Sequence, residues 1–96
     1  MKTKNKKKIL ITGVAGFIGF SLAQKIIQSK NYHVIGIDNL NTYYSKKLKL
    51  NRLVLLKNKN FKFYKIDLTE KNKLHNLFKK YKFNIVFNLA AQAGVR

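Results

Sequence analysis

A doubly wound α/β fold, with a parallel sheet covered by helices on both faces, is what this 96-residue sequence predicts. Three observations predict it. Short runs rich in Ile, Val and Phe recur along the chain. Between them lie segments of roughly 10 to 15 residues with apolar side chains at helical spacing, the length that right-handed crossovers between parallel strands require. Finally, Gly13, Gly16 and Gly19 follow one another at intervals of three where the first run gives way to the first helical segment. Glycine inside an element costs about 1 kcal/mol against Ala, so this spacing marks a backbone that something must approach closely.

Taken in order, residues 8–12 (KILIT) form a short β-branched run that ends at Gly13, the first strand. Residues 17–29 carry apolar side chains at 17, 18, 20, 22, 23, 26 and 27, a helix by its period. Residues 32–38 (YHVIGID) are a second strand. Residues from about 45 to 57 set Leu48, Leu50, Leu53, Val54, Leu55 and Leu56 among lysines, an amphipathic helix. Residues 61–66 (FKFYKI) alternate as a third strand, and residues 71–80 place Leu74, Leu77 and Phe78 at i, i+3, i+4, a third helix. Residues 84–89 (NIVFNL) are the fourth strand. A parallel strand normally has cover on both faces and neighbours on both sides, so a chain that stops soon after the fourth strand reads as the front piece of a longer protein, truncated after that strand.

Composition narrows the function. A net charge of +18 invites a polyanion partner. Yet 19 of the 21 basic residues are Lys, scattered along the chain with eleven Asn, while Arg occurs at positions 52 and 96 alone. Arg is the residue suited to bidentate base and phosphate contacts. A Lys- and Asn-rich, Arg-poor chain is what AT-rich coding produces, and nucleic-acid binding is the lesser reading. No cysteine is present, which excludes disulfides and Cys-based zinc sites and permits a cytoplasmic location. His33 and His75 have no carboxylate at ligand spacing, so no metal site is expected. The basic start, residues 1–7, followed by an apolar run imitates a signal peptide, with Ser21-Leu22-Ala23 as a cleavage site. Gly13, Gly16 and Gly19 break that run, however, and no apolar stretch reaches the ~18 residues needed to span a bilayer.

The strand–glycine–helix context explains the glycines as a dinucleotide-binding loop. Gly13 permits the tight turn, Gly16 lets the backbone approach a pyrophosphate, and Gly19 lets the helix pack closely on the sheet. The anion would be met by the free N–H groups that open the helix, those of Phe17 and Ile18. The spacing is GxxGxxG, and no Lys-Ser/Thr follows, so it is not an ATP-type P-loop. Asp38 ends the second strand 19 residues after Gly19, where a carboxylate accepts from the adenosine ribose and repels a 2′-phosphate, favouring NAD over NADP. Lys46 and Lys47 lie near enough in sequence to weaken that preference. A loop-capping role is the bland alternative for Asp38.

The stretches ITGVAGFIGFSLAQKI, VIGIDNLNTYY, FYKIDLTE and VFNLAAQAGVR follow one another as in the extended short-chain dehydrogenase/reductase family of NAD-dependent sugar-nucleotide epimerases and dehydratases. Within that family the chain most resembles UDP-glucuronate 4-epimerases, in which a DNLN-x-YY stretch and an AAQAGVR stretch occur together. The resemblance implies a Rossmann-like fold, with sheet order 3-2-1-4, in which Gly13, Gly16, Phe17, Ile18 and Gly19 hold the NAD pyrophosphate and Asp38 and Asn39 meet the adenosine ribose. It further implies that Asp67 contacts the adenine amino group, with a helix N-cap as its other reading, and that Leu68 packs on the ring. Leu89, Ala90, Ala91 and Gln92 would line the cofactor beyond the fourth strand, and Arg96 would fall near the sugar nucleotide.

The family chemistry so implied is an isomerisation by hydride loan. A Tyr deprotonates the sugar 4-hydroxyl, hydride leaves C4 for NAD, and it returns to the other face of the 4-keto sugar. The Tyr, its Lys and a Ser or Thr are expected beyond residue 96, so these residues alone are expected to be inactive. Tyr43 and Lys47 imitate the Tyr-x-x-x-Lys pair, but they follow the second strand, on the adenosine side. A homodimer is implied for the full-length protein. UDP-glucose 4-epimerase and dTDP-glucose 4,6-dehydratase are the alternatives within the family, and a basic nucleic-acid-associated module is the alternative outside it.

Overall fold

The computed structural model describes residues 6–40 and 46–90. Along them run β1 (Lys7–Thr12), α1 (Phe17–Ser29), β2 (Tyr32–Asp38), α2 (Lys46–Leu56), β3 (Phe61–Lys65), α3 (Lys71–Tyr81) and β4 (Ile85–Asn88). The four strands pair in parallel in the order β3-β2-β1-β4, the order the resemblance implies. Thr12 at the end of β1 lies opposite Ile37 of β2 and Asn88 of β4. Three strands therefore finish at one level, and their carboxyl ends form a common edge from which the connecting turns leave.

Alternation along the strands makes two cores. Ile9, Ile11 and Val34 face α1 and α2, where they pack with Val14, Ala23, Ile27 and Leu56. Leu10, Ile35 and Ile37 point the other way and pack with Ile66 and Leu77. With apolar residues on both faces, β1 and β2 are the buried centre of a parallel sheet. Burying each large aliphatic side chain contributes about 1.5–3 kcal/mol, which makes these two strands the principal source of stability. Helices α1 and α3 both stop on a lysine in the left-handed region, Lys30 at φ 64° and Lys82 at φ 53°. Their N–H groups bond back to Ile27 and Phe78 carbonyls at 3.1 Å, satisfying acceptors that a helix end leaves open.

The element boundaries differ from the sequence reading by one residue or so at several ends. The larger difference is α2, which does not sort cleanly into apolar and polar faces. It leaves Leu48, Leu50, Val54 and Leu55 exposed and buries Lys49 with Leu56. On the other face, α3 is tied to β3 by the Tyr64 and Tyr81 hydroxyls, 2.6 Å apart. Burial and this bond push Tyr81 up to about 12. Burial opposes ionisation of Tyr64 too, but the Tyr81 bond and the Lys80 and Lys62 ammonium groups leave it below its ordinary value. No helix among the described residues is long and apolar enough to cross a membrane.

Candidate functional site at the carboxyl edge of the sheet

The loop from Gly13 to Gly16 is built almost wholly from backbone. The Gly13 and Val14 amides both donate to the Ile37 carbonyl, at 2.9 and 3.1 Å, which swings the chain out of β1 and across the end of β2. Gly13 has φ +72°, and a Cβ there would lie 2.8 Å from Ala90 Cα, so neither the turn nor its neighbour admits a side chain. Val14 then drops onto the sheet over Gly36, where a Cβ would meet its methyl groups at 2.7 Å. Ala15 is fully buried; its N–H donates to Asp38 Oδ2 at 3.0 Å and its carbonyl accepts from Arg52 Nη1 at 2.9 Å.

Gly16 is the N-cap of α1, extended at φ −74°, ψ 168°, and its own N–H donates to the Gly13 carbonyl at 3.0 Å. The first helical bond runs from Phe20 N–H to Gly16. No side chain caps the helix and no acidic residue stands in its first turn. The amides of Phe17, Ile18 and Gly19 accordingly have no hydrogen-bond partner among the described residues. Three aligned donors at the positive end of a 13-residue helix suit a negatively charged group. Gly19 plays a part other than the one expected. A Cβ on it would collide with the Gly13 carbonyl oxygen and lie 3.0 Å from Val14 Cα. It seats the first turn of α1 on the glycine loop itself rather than on the sheet.

Asp38 sits beneath this loop, 6% exposed. Oδ2 accepts from Ala15, while Oδ1 accepts from Leu40 N–H at 2.7 Å and faces Lys49 Nζ at 3.5 Å. A carboxylate offers roughly four acceptor positions, and donors among the described residues take three of them. The loop-capping reading of Asp38 is what these bonds show. The cation beside it is the buried Lys49; Lys46 and Lys47, which the sequence suggested, are exposed.

Asp67 leaves β3 on the same edge. Oδ2 accepts from Asn39 Nδ2 at 3.0 Å, and Oδ1 accepts from the Thr69 amide and hydroxyl at 2.9 and 2.8 Å. The Thr69 amide, then Asn39 and the Thr69 hydroxyl, hold its carboxyl below the ordinary range. Glu70 returns the favour by accepting from Asp67 N–H at 2.9 Å, and that amide together with Lys73 lowers its carboxyl as well. The N-cap of α3 is Glu70, not Asp67. The expected cap is instead a reciprocal Asp67–Glu70 turn just ahead of the helix. Leu68 is exposed and borders a shallow groove with Lys71, Leu74, His75 and Phe78.

At the end of β4, Leu89 N–H donates to the Thr12 carbonyl at 3.2 Å and Ala90 N–H to Thr12 Oγ1 at 3.1 Å. That hydroxyl donates in turn to Asn88 Oδ1 at 2.6 Å. Gly13, Gly16, Phe17, Ile18, Gly19, Asp38, Asn39, Asp67, Leu89 and Ala90 are therefore assembled along one edge. Ala91, Gln92 and Arg96 lie outside the described residues, as does Tyr43. Thr12, Asn88, Lys49 and Arg52 build the edge without having been singled out in the sequence. A polar residue closing the apolar run of residues 9–11 was a signal for Thr12; nothing in the spacing pointed to Arg52.

Comparison with known proteins agrees with this geometry. The family model described as GDP-mannose 4,6 dehydratase matches residues 10–96. Protein CapI of Staphylococcus aureus is 51% identical over 89 residues, which are 93% of this chain and 26% of that protein. A UDP-glucuronate 4-epimerase of Thermodesulfobacterium geofontis is 47% identical over 88 residues, 91% of this chain and 27% of its own length. The chain thus spans about a quarter of the curated relatives it matches. Among solved structures, Bacillus cereus UDP-glucuronic acid 4-epimerase in complex with UDP-glucuronic acid and NAD superimposes with a TM-score of 0.79 at 38% identity, over 93% of this chain and 28% of that one. The dTDP-glucose 4,6-dehydratase of Bacillus anthracis in complex with NAD does so at 0.80 and 28% identity, over 91% and 27%. With a family model that matches residues 10–96 and a fold superimposing on solved members, the chain belongs to the GDP-mannose 4,6 dehydratase family of NAD-dependent epimerases and dehydratases.

Proposed function

We propose that residues 1–96 are the N-terminal part of an NAD-binding Rossmann domain, and that the protein carrying them is a sugar-nucleotide epimerase acting on UDP-glucuronate. The observation that carries the reading is the trio of amides at Phe17, Ile18 and Gly19, which follow the glycine loop at the carboxyl edge and have no partner among the described residues. Those amides would take the pyrophosphate, and the missing side chains at Gly13 and Gly16 let it reach the backbone. Asp38 would use its remaining acceptor position on the adenosine ribose, beside Asn39. Asp67 and Leu68 would meet the adenine, and Leu89, Ala90, Ala91 and Gln92 would line the path toward the nicotinamide, with Arg96 near the sugar.

NAD supplies a hydride acceptor and donor for the sugar C4. The described residues hold and orient that group: a fixed loop, an anion-binding helix end and a buried carboxylate that disfavours a 2′-phosphate. Lys49 offsets part of that charge discrimination from its place 3.5 Å away. The choice of UDP-glucuronate rests on the relatives named as 4-epimerases of that sugar. In this proposal the full-length protein works as a cytoplasmic homodimer, a form that sedimentation tests.

Calorimetric titration of the full-length protein with NAD tests the cofactor. NAD binding that persists at about 0.3 M salt, where screening removes loose electrostatic contacts, is the expected result. Retention on DNA that falls with salt, together with no response to NAD, would replace this reading by the nucleic-acid one. Epimerisation of UDP-glucuronate, against UDP-glucose and dTDP-glucose as rivals, tests the substrate.

A further inference from the structure

Among the described residues Arg52 is the one arginine, and it reaches from α2 to the glycine loop. Its Nη1 lies 2.9 Å from the Ala15 carbonyl, and its guanidinium carbon stands 5.9 Å from the centre of the Phe17 ring. Ala15 and Phe17 flank Gly16, the residue whose ψ of 168° turns the chain into α1. Arg52 therefore touches the peptide before the N-cap and the side chain after it. Lys49, three residues earlier on the same helix face, engages Asp38, which holds the other end of the Ala15 residue through its N–H. Two basic side chains of one helix and one buried carboxylate thus clamp a single alanine.

We infer that Arg52 is a positioning residue for anion binding: by holding the Ala15 carbonyl and the Phe17 ring it fixes the direction of the amides that follow Gly16. The inference rests on the dinucleotide reading of the loop and adds to it the element that sets the loop. Its physical basis is that Ala15 is wholly buried, so its carbonyl has no water to fall back on. Remove the guanidinium, and the carbonyl must rotate to find another donor, carrying the Ala15–Gly16 peptide plane with it. The amides of Phe17 and Ile18 then lose their common aim. A guanidinium meets this need well, because its planar fork bonds a carbonyl and covers a ring face at once.

The test uses Arg52→Met, which keeps the apolar stem without a donor, and Arg52→Lys, which keeps a donor and the charge. Binding of NAD, ADP and adenosine is measured by calorimetry on the full-length protein at about 0.05 M and about 0.5 M salt. Amide resonances of Gly16, Phe17 and Ile18 are followed without ligand. The expected result for Arg52→Met is a loss of about tenfold for NAD and ADP, the scale of one hydrogen bond to a charged group. Adenosine, which lacks the diphosphate, binds as before. The loss is the same at both salts, the three amide resonances shift or broaden, and Arg52→Lys recovers a substantial part of the affinity.

Unchanged NAD binding in Arg52→Met overturns the inference. So does a loss that vanishes at the higher salt, which would make Arg52 a source of attraction only, or an equal loss for adenosine, which would mark general damage. If the unaltered protein binds NAD and Arg52→Met binds it equally well, the proposed function stands and this inference falls. If the unaltered protein binds neither NAD nor ADP, both fall.

Discussion

Replacing Gly19 by Ala isolates the contact on which the glycine loop depends. By propensity alone the change should stabilise α1, since Ala is better than Gly inside a helix by about 1 kcal/mol. The structure predicts the reverse. A methyl group at Gly19 meets only backbone: the Gly13 carbonyl oxygen, Gly13 C at 3.0 Å and Val14 Cα at 3.0 Å. None of these can swing aside as a flexible side chain would. Gly13 is itself pinned by its amide bond to Ile37, by φ +72° and by the Ala90 backbone, which fills the space a Cβ would take. Overpacking of this kind costs about 1–3 kcal/mol, and the rigid partners place it near the upper end. Against the propensity gain, the net is a loss of about 2 kcal/mol, or a Tm lower by about 8–16 °C for a domain of this size. Thermal unfolding followed by circular dichroism reads it directly. Gln28→Ala, exposed on the same helix, is the control and should stay within about 0.5 kcal/mol. A Gly19→Ala protein as stable as the parent would show that the first turn of α1 is not seated on the loop, and the amide geometry argued from it would have no support.

Three further outcomes follow from the same edge. Asp38→Asn leaves the buried Lys49 without its counter-charge, and denaturant unfolding should show a loss of about 2–4 kcal/mol; NAD-over-NADP selectivity, read by competitive titration, should fall with it. Thr12→Val keeps shape but strips Asn88 Oδ1 and the Ala90 amide of a shared partner, a loss of about 1–3 kcal/mol, whereas Thr12→Ser should retain most of the stability in the same melt. The Asp67 carboxyl titrates below its ordinary 3.8 in the folded chain, so its contribution is complete above 3.8 and is lost as pH falls through the lowered folded value. Asp67→Asn should therefore flatten the fall of Tm over that acid window, and an unchanged slope would remove the Thr69 and Asn39 bonds from the explanation.

Much of this molecule was legible in the chain. The alternation of β-branched runs with helical periods placed seven elements in order, because burial on both sheet faces demands apolar strands and short crossovers demand helices. The glycines announced a loop of close approach, and Asp38 announced its companion by distance from Gly19. The amphipathic reading of α2 went astray where tertiary demand outweighed pattern: a helix that must offer a cation to Asp38 and a guanidinium to Ala15 cannot present leucines alone to the core.

By itself, then, the sequence determined which segments are strands and helices and where the turn of close approach lies, since both follow from local periodicity and from what glycine alone permits; the order of the sheet came with the resemblance that its motifs carry. The tertiary structure decided which polar groups meet: Lys49 rather than Lys46 or Lys47 beside Asp38, Gly19 against Gly13 rather than the sheet, Arg52 on Ala15, Thr12 between Asn88 and Ala90. Such pairings join residues from 6 to 78 positions apart, and they depend on the rotation of a packed helix and the level at which parallel strands end. Neither quantity is written in spacing along the chain; both are set by how the two cores close around β1 and β2.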